Sequence, residues 1–192
     1  TDIGYYLELD NYATSDEDNH YISMDYENAT VTDINGETRQ FVPAEYSIKN
    51  DLYSQNQIDF IDKYLNNLFK IVYEACENGK YYKFDENYDL VDSDVTTAEE
   101  AVSNVMDIDS VRDMYILYEI VHDYDCGKGS FYMCVDLSKD SKCPKLKFTS
   151  PWDFNWAYND STEKYYAGAF TDKNFVAKKG DRSNPWFIVL CK

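Results

Sequence analysis

Phe148-Thr149-Ser150-Pro151-Trp152-Asp153-Phe154-Asn155-Trp156-Ala157-Tyr158 is the stretch on which the reading of the chain turns. It closes an alternating run, Lys145, Leu146, Lys147, Phe148, whose period of two is that of a strand with one buried face. A partner strand is expected just upstream, over 131–136, joined to it by the polar turn 137–144. An antiparallel hairpin returns the chain to its point of entry, so the residues before its first strand and after its second become neighbours. Before it comes a glycine-bearing loop, 122–129, that contains Asp125; after it comes Asp153. The two carboxylates should therefore face one site. With Lys128 and Ser130 between them in a polar loop, they repel each other unless a cation lies between them or one takes up a proton. The arrangement suits Mg²⁺.

Working outward, the residues before this loop form a helix from about Asp109 or Ser110 to Val121. Val111, Met114, Tyr115, Ile116, Leu117, Tyr118, Ile120 and Val121 leave it almost no polar side, so it is expected to be buried all round. A longer amphipathic helix begins near Ser54, where Ile58, Ile61, Leu65, Leu68, Phe69, Val72 and Cys76 recur at steps of three and four, and Gly79 stops it. Between the two, Thr97 and Glu100 form a capping box for a short helix ending near Val105, while 81–94 is acidic and aromatic with no clear period. The first 50 residues carry short strands at 3–10, 21–24, 30–32, 40–42 and 46–49, with an Asn35-Gly36 turn, and read as a β-rich edge. The fold class is α+β.

The chain has 192 residues, 36 Asp and Glu against 18 Lys and Arg, and a net charge of −18. That field repels nucleic acid and anionic membranes, and any phosphate chemistry here needs a divalent cation to neutralise nearby carboxylates. The longest mainly apolar run, 114–121, is far short of the roughly 18–20 residues a membrane helix needs. Five cysteines without a CxxC pair, and two histidines, make a zinc site a poor expectation; Cys134 and Cys143 flank the hairpin turn, and a bridge between them is left open.

The order of helix, loop aspartate, hairpin and second loop aspartate is that of protein kinases, in which one aspartate handles the acceptor hydroxyl, the residue five further on ligates metal, and the second aspartate holds Mg²⁺. Ser130 stands five residues after Asp125. The detail goes further. Met114 to Asp125, then Lys128-Gly129-Ser130-Phe131-Tyr132-Met133, then the Pro151-Trp152-Asp153-Phe154 block resemble the CotH family, named for spore coat protein H. Gly4-Tyr5-Tyr6-Leu7-Glu8-Leu9-Asp10, Ile48-Lys49 and Asn184-Pro185-Trp186-Phe187 are similar to further segments of that family. The resemblance implies an atypical kinase-like fold that uses ATP and Mg²⁺ to phosphorylate serine in secreted, coat or cell-surface proteins of bacteria. Asp125 would be the catalytic aspartate, Asp153 with Ser130 and Asn155 the metal ligands, and Lys49 and Lys128 would contact the nucleotide. Trp152 and Phe154 would pack and orient the metal loop.

The chain departs from the family pattern at Asp123, Ser130 and Asn155, where asparagine, asparagine and aspartate respectively are usual, and at Asn159, where glycine is common. It opens at Thr1 inside a strand-like run and closes just after an apolar one, so it is expected to be part of a kinase-like domain cut at both ends, with its N-terminal lobe upstream. Two further readings stand beside phosphoryl transfer: a catalytically silent surface or scaffold module that keeps the fold, and a glycoside hydrolase using the paired carboxylates. The 19 tyrosines could also form a carbohydrate-binding surface.

Overall fold

A computed structural model of the chain describes residues 3–15, 20–24, 26, 29–32, 38–40, 44–121, 123, 125–127, 129–157 and 184–190. Its centre is an antiparallel sheet built on β1 (Gly4–Leu9), whose alternation buries Tyr5, Leu7 and Leu9 and leaves Tyr6 and Glu8 on the opposite side. β5 (Ala44–Ile48) pairs with one edge of β1, and β8 (Phe131–Asp136) with the other, so that Leu7 faces both Ile48 and Met133. β2 (Tyr21–Met24) lies outside β5 and β9 (Lys147–Thr149) outside β8, which gives the order β2-β5-β1-β8-β9. Of the N-terminal strands, β1 and β5 thus lie inside the sheet and β2 at its edge, while β3 (Thr30–Thr32) and β4 (Thr38–Gln40) pair as a separate two-stranded sheet. Strand propensity is local, but the partner that turns an edge into a centre arrives more than a hundred residues later.

The apolar side of this sheet shares one hydrophobic core with the helices. Helix α1 (Gln55–Tyr73) presents Ile61, Tyr64, Leu65, Leu68, Phe69 and Val72, all essentially without solvent contact. Each such side chain contributes roughly 1.5–3 kcal/mol by burial. The helix ends by widening into a π turn over Glu74–Asn78 and stops at Gly79, whose φ of 62° is the left-handed cap expected from the sequence. Thr97 caps α2 (Ala98–Val105), its hydroxyl accepting the Glu100 N–H at 3.2 Å, while the Glu100 carboxylate accepts the Thr96 N–H at 3.2 Å.

Two elements differ from the sequence reading. The segment 81–94 folds as a hairpin, β6 (Tyr82–Phe84) with β7 (Leu90–Asp92). Its turn contains no glycine. The Asp85 carboxylate instead accepts the N–H groups of Asn87 at 2.8 Å and Asp89 at 2.9 Å, and Tyr88 takes a φ of 59° as its ring packs against Phe60, Tyr64 and Phe84. Helix α3 (Ile108–Val121) is not buried all round: Val111, Met114 and Tyr118 face inward, but Ile116 and Ile120 are 47% and 61% exposed. It packs along β9 on one side, and among the described residues no element covers the other. Hydrophobicity alone does not supply the second partner that full burial requires.

The short α4 (Phe187–Leu190) inserts Trp186, Phe187 and Val189 into the core, with Phe187 edge-on to Tyr115, Phe131 and Phe148. Cys126, Cys134 and Cys143 are free thiols, so Cys134 and Cys143 form no bridge here.

Candidate functional site

The expected hairpin is present. β8 and β9 pair as Tyr132 with Thr149, Met133 with Phe148 and Cys134 with Lys147, so the chain entering at Ser130 and the chain leaving at Ser150 share one end. On the entering side, Asp125 opens a 3-10 turn (Asp125–Gly127). The turn is tied internally: the Asp125 N–H donates to Asp123 Oδ1 at 3.2 Å, and the Gly129 N–H donates to the Asp125 carbonyl at 3.0 Å. Asp123 is fully buried, half-buried Asp125 is open to solvent, and Cys126 is fully buried beneath them. Gly129 lies close to the end of β1: an added Cβ would stand 3.0 Å from Asn11 Oδ1 and 4.0 Å from the Leu9 carbonyl oxygen.

On the leaving side, Asp153 is exposed at φ 58° and ψ 52° and begins the 3-10 turn Phe154–Trp156. Ser130 (φ 54°) and Ser150 (φ 50°) are left-handed as well, so three of the four described non-glycine residues with positive φ stand at this end of the hairpin. Each costs on the order of 1–3 kcal/mol and persists only where the surroundings hold it, which is a common mark of functional loops.

Tyr118 joins the two sides. Its ring lies 5.7 Å from that of Phe131 and 5.6 Å from that of Phe154, the neighbour of Asp153, and its hydroxyl donates to the Ser130 carbonyl at 3.5 Å. Burial raises its phenol pKa first, and the negative field of Cys126, Asp123 and Asp125 adds to the rise. One side chain of α3 thus senses Asp125 and supports the Asp153 turn.

Lys49 lies on the polar side of the sheet. Its Nζ is 2.6 Å from Glu8 Oε2 and 3.5 Å from Asp10 Oδ2. Burial opposes its charge, but the two carboxylates outweigh burial and raise its pKa. Asp10 also accepts the Ser47 hydroxyl at 2.5 Å and the Tyr12 N–H at 2.8 Å. Burial works against the Asp10 carboxylate, yet Ser47, Tyr12 and Lys49 together hold its pKa below the ordinary value. Glu8 stands opposite Tyr132 in the register and accepts a hydrogen bond from its phenol, which burial and then Glu8 push upward. Asp10 directly precedes Asn11, whose side chain lies beside Gly129, so this network borders the Asp125 loop.

The structure brings Asp125, Ser130, Asp153 and Asn155 to one end of one hairpin, with Lys49 on the flank and already engaged with two carboxylates. Lys128 and His122 lie outside the described residues. Asn155 is exposed, and with its amide nitrogen turned toward Asp153 it donates to that carboxylate and, at 2.9 Å, to the Asp153 carbonyl. Trp152 does not pack as the sequence led us to expect. It is 60% exposed between the left-handed residues Ser150 and Asp153, whereas Phe154 packs against Tyr118.

No group of three or more His, Cys, Asp and Glu side chains forms a metal centre among the described residues. The Asp153 carboxylate, the Ser130 hydroxyl and the Asn155 amide oxygen are of the hard donor type that Mg²⁺ takes, an ion ordinarily held by one or two carboxylates and completed by substrate phosphates and water.

Sequence reasoning did not single out Asn184 as part of this site. Its side chain, 1% exposed, donates from Nδ2 to the Cys126 carbonyl at 2.8 Å and accepts from the N–H groups of Trp186 at 3.0 Å and Phe187 at 3.3 Å. Trp186 in turn donates from Nε1 to the Tyr46 hydroxyl on β5 at 2.9 Å. The segment Asn184-Pro185-Trp186-Phe187 stood out only for its resemblance and gave no sign that the Asn184 side chain reaches the Asp125 turn. Neither a protein-family model, nor a curated protein, nor a solved structure matches this chain.

Proposed function

We propose that this chain carries the metal loop and acceptor loop of a CotH-like phosphotransferase, which moves the terminal phosphoryl group of ATP to a serine hydroxyl of a secreted, coat or surface protein. One observation carries the reading: the Asp125 turn and the Asp153 turn flank a single hairpin whose open end concentrates left-handed, non-glycine backbone. Asp125, half-buried at the head of a tied turn, is suited to orient the acceptor hydroxyl and take its proton as the serine oxygen bonds to phosphorus. The bond from that phosphorus to the bridging oxygen breaks in the same displacement, and ADP leaves. Asp153, exposed and facing outward, would hold Mg²⁺ with the Ser130 hydroxyl nearby. A bound Mg²⁺ would neutralise phosphate charge in a chain whose net charge is −18.

The test is transfer of labelled phosphate from ATP to a serine-containing protein by the full-length protein and by Asp153→Asn. Loss of one carboxylate ligand should lower transfer by about 10²-fold or more, the scale set by removing one electrostatic group from such a site. Equal labelling by both proteins would end the assignment of Asp153.

A silent scaffold module is the second reading. Lys49 held between Glu8 and Asp10, and Asn155 turned toward Asp153, favour it. Calorimetric binding of ATP that depends on Mg²⁺ would count against this reading.

A further inference from the structure

We infer that Asn184 is the positioning residue for Asp125, a role that rests on the phosphotransfer reading above. Asp125 lies in a one-turn 3-10 segment with no helix or strand of its own to hold it. Its bonds from Asp125 N–H to Asp123 and from Gly129 N–H to the Asp125 carbonyl close the loop on itself, and the Cys126 side chain is buried in the core. The bond from Asn184 Nδ2 to the Cys126 carbonyl ties the backbone of the residue next to Asp125 to the C-terminal segment, at full burial.

The orientation of the amide is set by its partners. Its oxygen faces two backbone donors and its nitrogen faces a backbone carbonyl, so a flipped amide would lose all three bonds. The far end of the tether is equally fixed, because Trp186 and Phe187 are fully buried and Trp186 is hydrogen-bonded to Tyr46 on the central sheet. Asn184 therefore transmits the position of the sheet to the Asp125 turn. Asp153, on the other side of the hairpin, makes none of these bonds. Loosening Asn184 should thus disturb acceptor activation and leave Mg²⁺–ATP binding alone. Geometry at a reacting group matters steeply, since a displacement of about 1 Å can lower a rate by about 10²-fold.

The experiment compares full-length protein carrying Asn184→Ser with Asn184→Ala. Serine retains an oxygen that can accept the Trp186 and Phe187 N–H groups but is too short to reach Cys126, and alanine removes both functions. Circular dichroism and Tm establish that each variant folds. Two readouts follow. The first is alkylation of Cys126, followed by mass spectrometry, together with hydrogen exchange of the Gly129 amide. Both should accelerate at least tenfold in Asn184→Ser relative to wild type, with the exchange of α1 unchanged. The second is steady-state phosphotransfer, in which kcat should fall about 10- to 100-fold while KM for Mg²⁺–ATP stays within about twofold.

If the loop is no more labile in Asn184→Ser than in wild type, the inference is overturned, whatever the kinetics. It is also overturned if kcat holds, or if KM and kcat change together. If wild-type protein transfers no phosphate but the loop is released as described, the tether stands as a structural fact and the phosphotransfer reading fails with the role built on it. The two failures are therefore distinguishable.

Discussion

Replacing Trp186 by Phe is the sharpest test of how the C-terminal segment is held against the sheet. Both Trp186 and Tyr46 are fully buried, and the Trp186 Nε1 donates to the Tyr46 hydroxyl at 2.9 Å. Without the indole N–H, the Tyr46 oxygen keeps only the long contact to Met24 Sδ at 3.9 Å. A buried polar atom left in that condition costs about 1–3 kcal/mol. The smaller ring also leaves a void of roughly 40 Å³ between Phe69 and Phe148, which adds about 1 kcal/mol at the usual cost per unit cavity volume. The expected total is about 2–4 kcal/mol. For a chain of this size that corresponds to a drop in Tm of about 5–15 °C.

Tyr46→Phe removes the other partner and strands the indole N–H, at a further cost of about 1–3 kcal/mol on its own. The double substitution removes donor and acceptor together, so its cost should fall short of the sum of the singles by about 1–2 kcal/mol. Urea unfolding followed by far-ultraviolet circular dichroism measures all four proteins without relying on tryptophan fluorescence. If the double variant loses the full sum, the two side chains are not energetically coupled and the account of how the segment is anchored is wrong.

Two further outcomes are expected. Asp10 is held below its ordinary pKa by Ser47, Tyr12 and Lys49 acting against burial, so its contribution to stability is fully present above the unfolded value near 3.8 and is lost as pH falls through the lower folded value. Ser47→Ala should lower Tm at pH 6, and the gap to wild type should narrow on acidification through that window; a gap that stays constant would exclude Asp10 as the responsible group. Gly79→Ala should cost about 1–2 kcal/mol, because an added Cβ meets nothing within 4 Å and the whole penalty is the left-handed φ of 62°. An unchanged midpoint of chemical unfolding would show that the turn relaxes without cost.

What could be read from the chain alone follows the range of each signal. The β8–β9 hairpin was legible because a period of two and a polar turn are local, and the meeting of the Asp125 and Asp153 loops followed from that topology. Helix α1, its glycine stop and the Thr97 cap were legible for the same reason. The β6–β7 hairpin was not, since its turn depends on the Asp85 carboxylate and on a left-handed Tyr88 that ring packing supports. The period of two of a strand puts Glu8 and Asp10 on one side of the opening segment, but only the pairing of β1 with β5 brings Lys49 to both. Asn184 and Cys126 are distant in sequence and share no periodic pattern, so their bond becomes visible only once the core is assembled. Exposed Trp152 shows the converse: a residue quoted for its resemblance lies in solvent between two left-handed residues that no local pattern announces.

The central place of β1 has a consequence for how the protein is made. Leu7 pairs with Ile48 on one side and Met133 on the other, and Leu9 with Phe131, so β1 is completed only once residues 131–136 have been made. Until β8 is synthesised, one edge of β1 offers unpaired N–H and C=O groups flanked by buried-type side chains, the kind of surface on which chains associate wrongly. Sheet closure and the docking of the Asp125 turn then become late and coupled events. A nascent chain interrupted before residue 131 would carry Glu8, Asp10, Ser47 and Lys49 but neither Tyr132 nor a closed sheet.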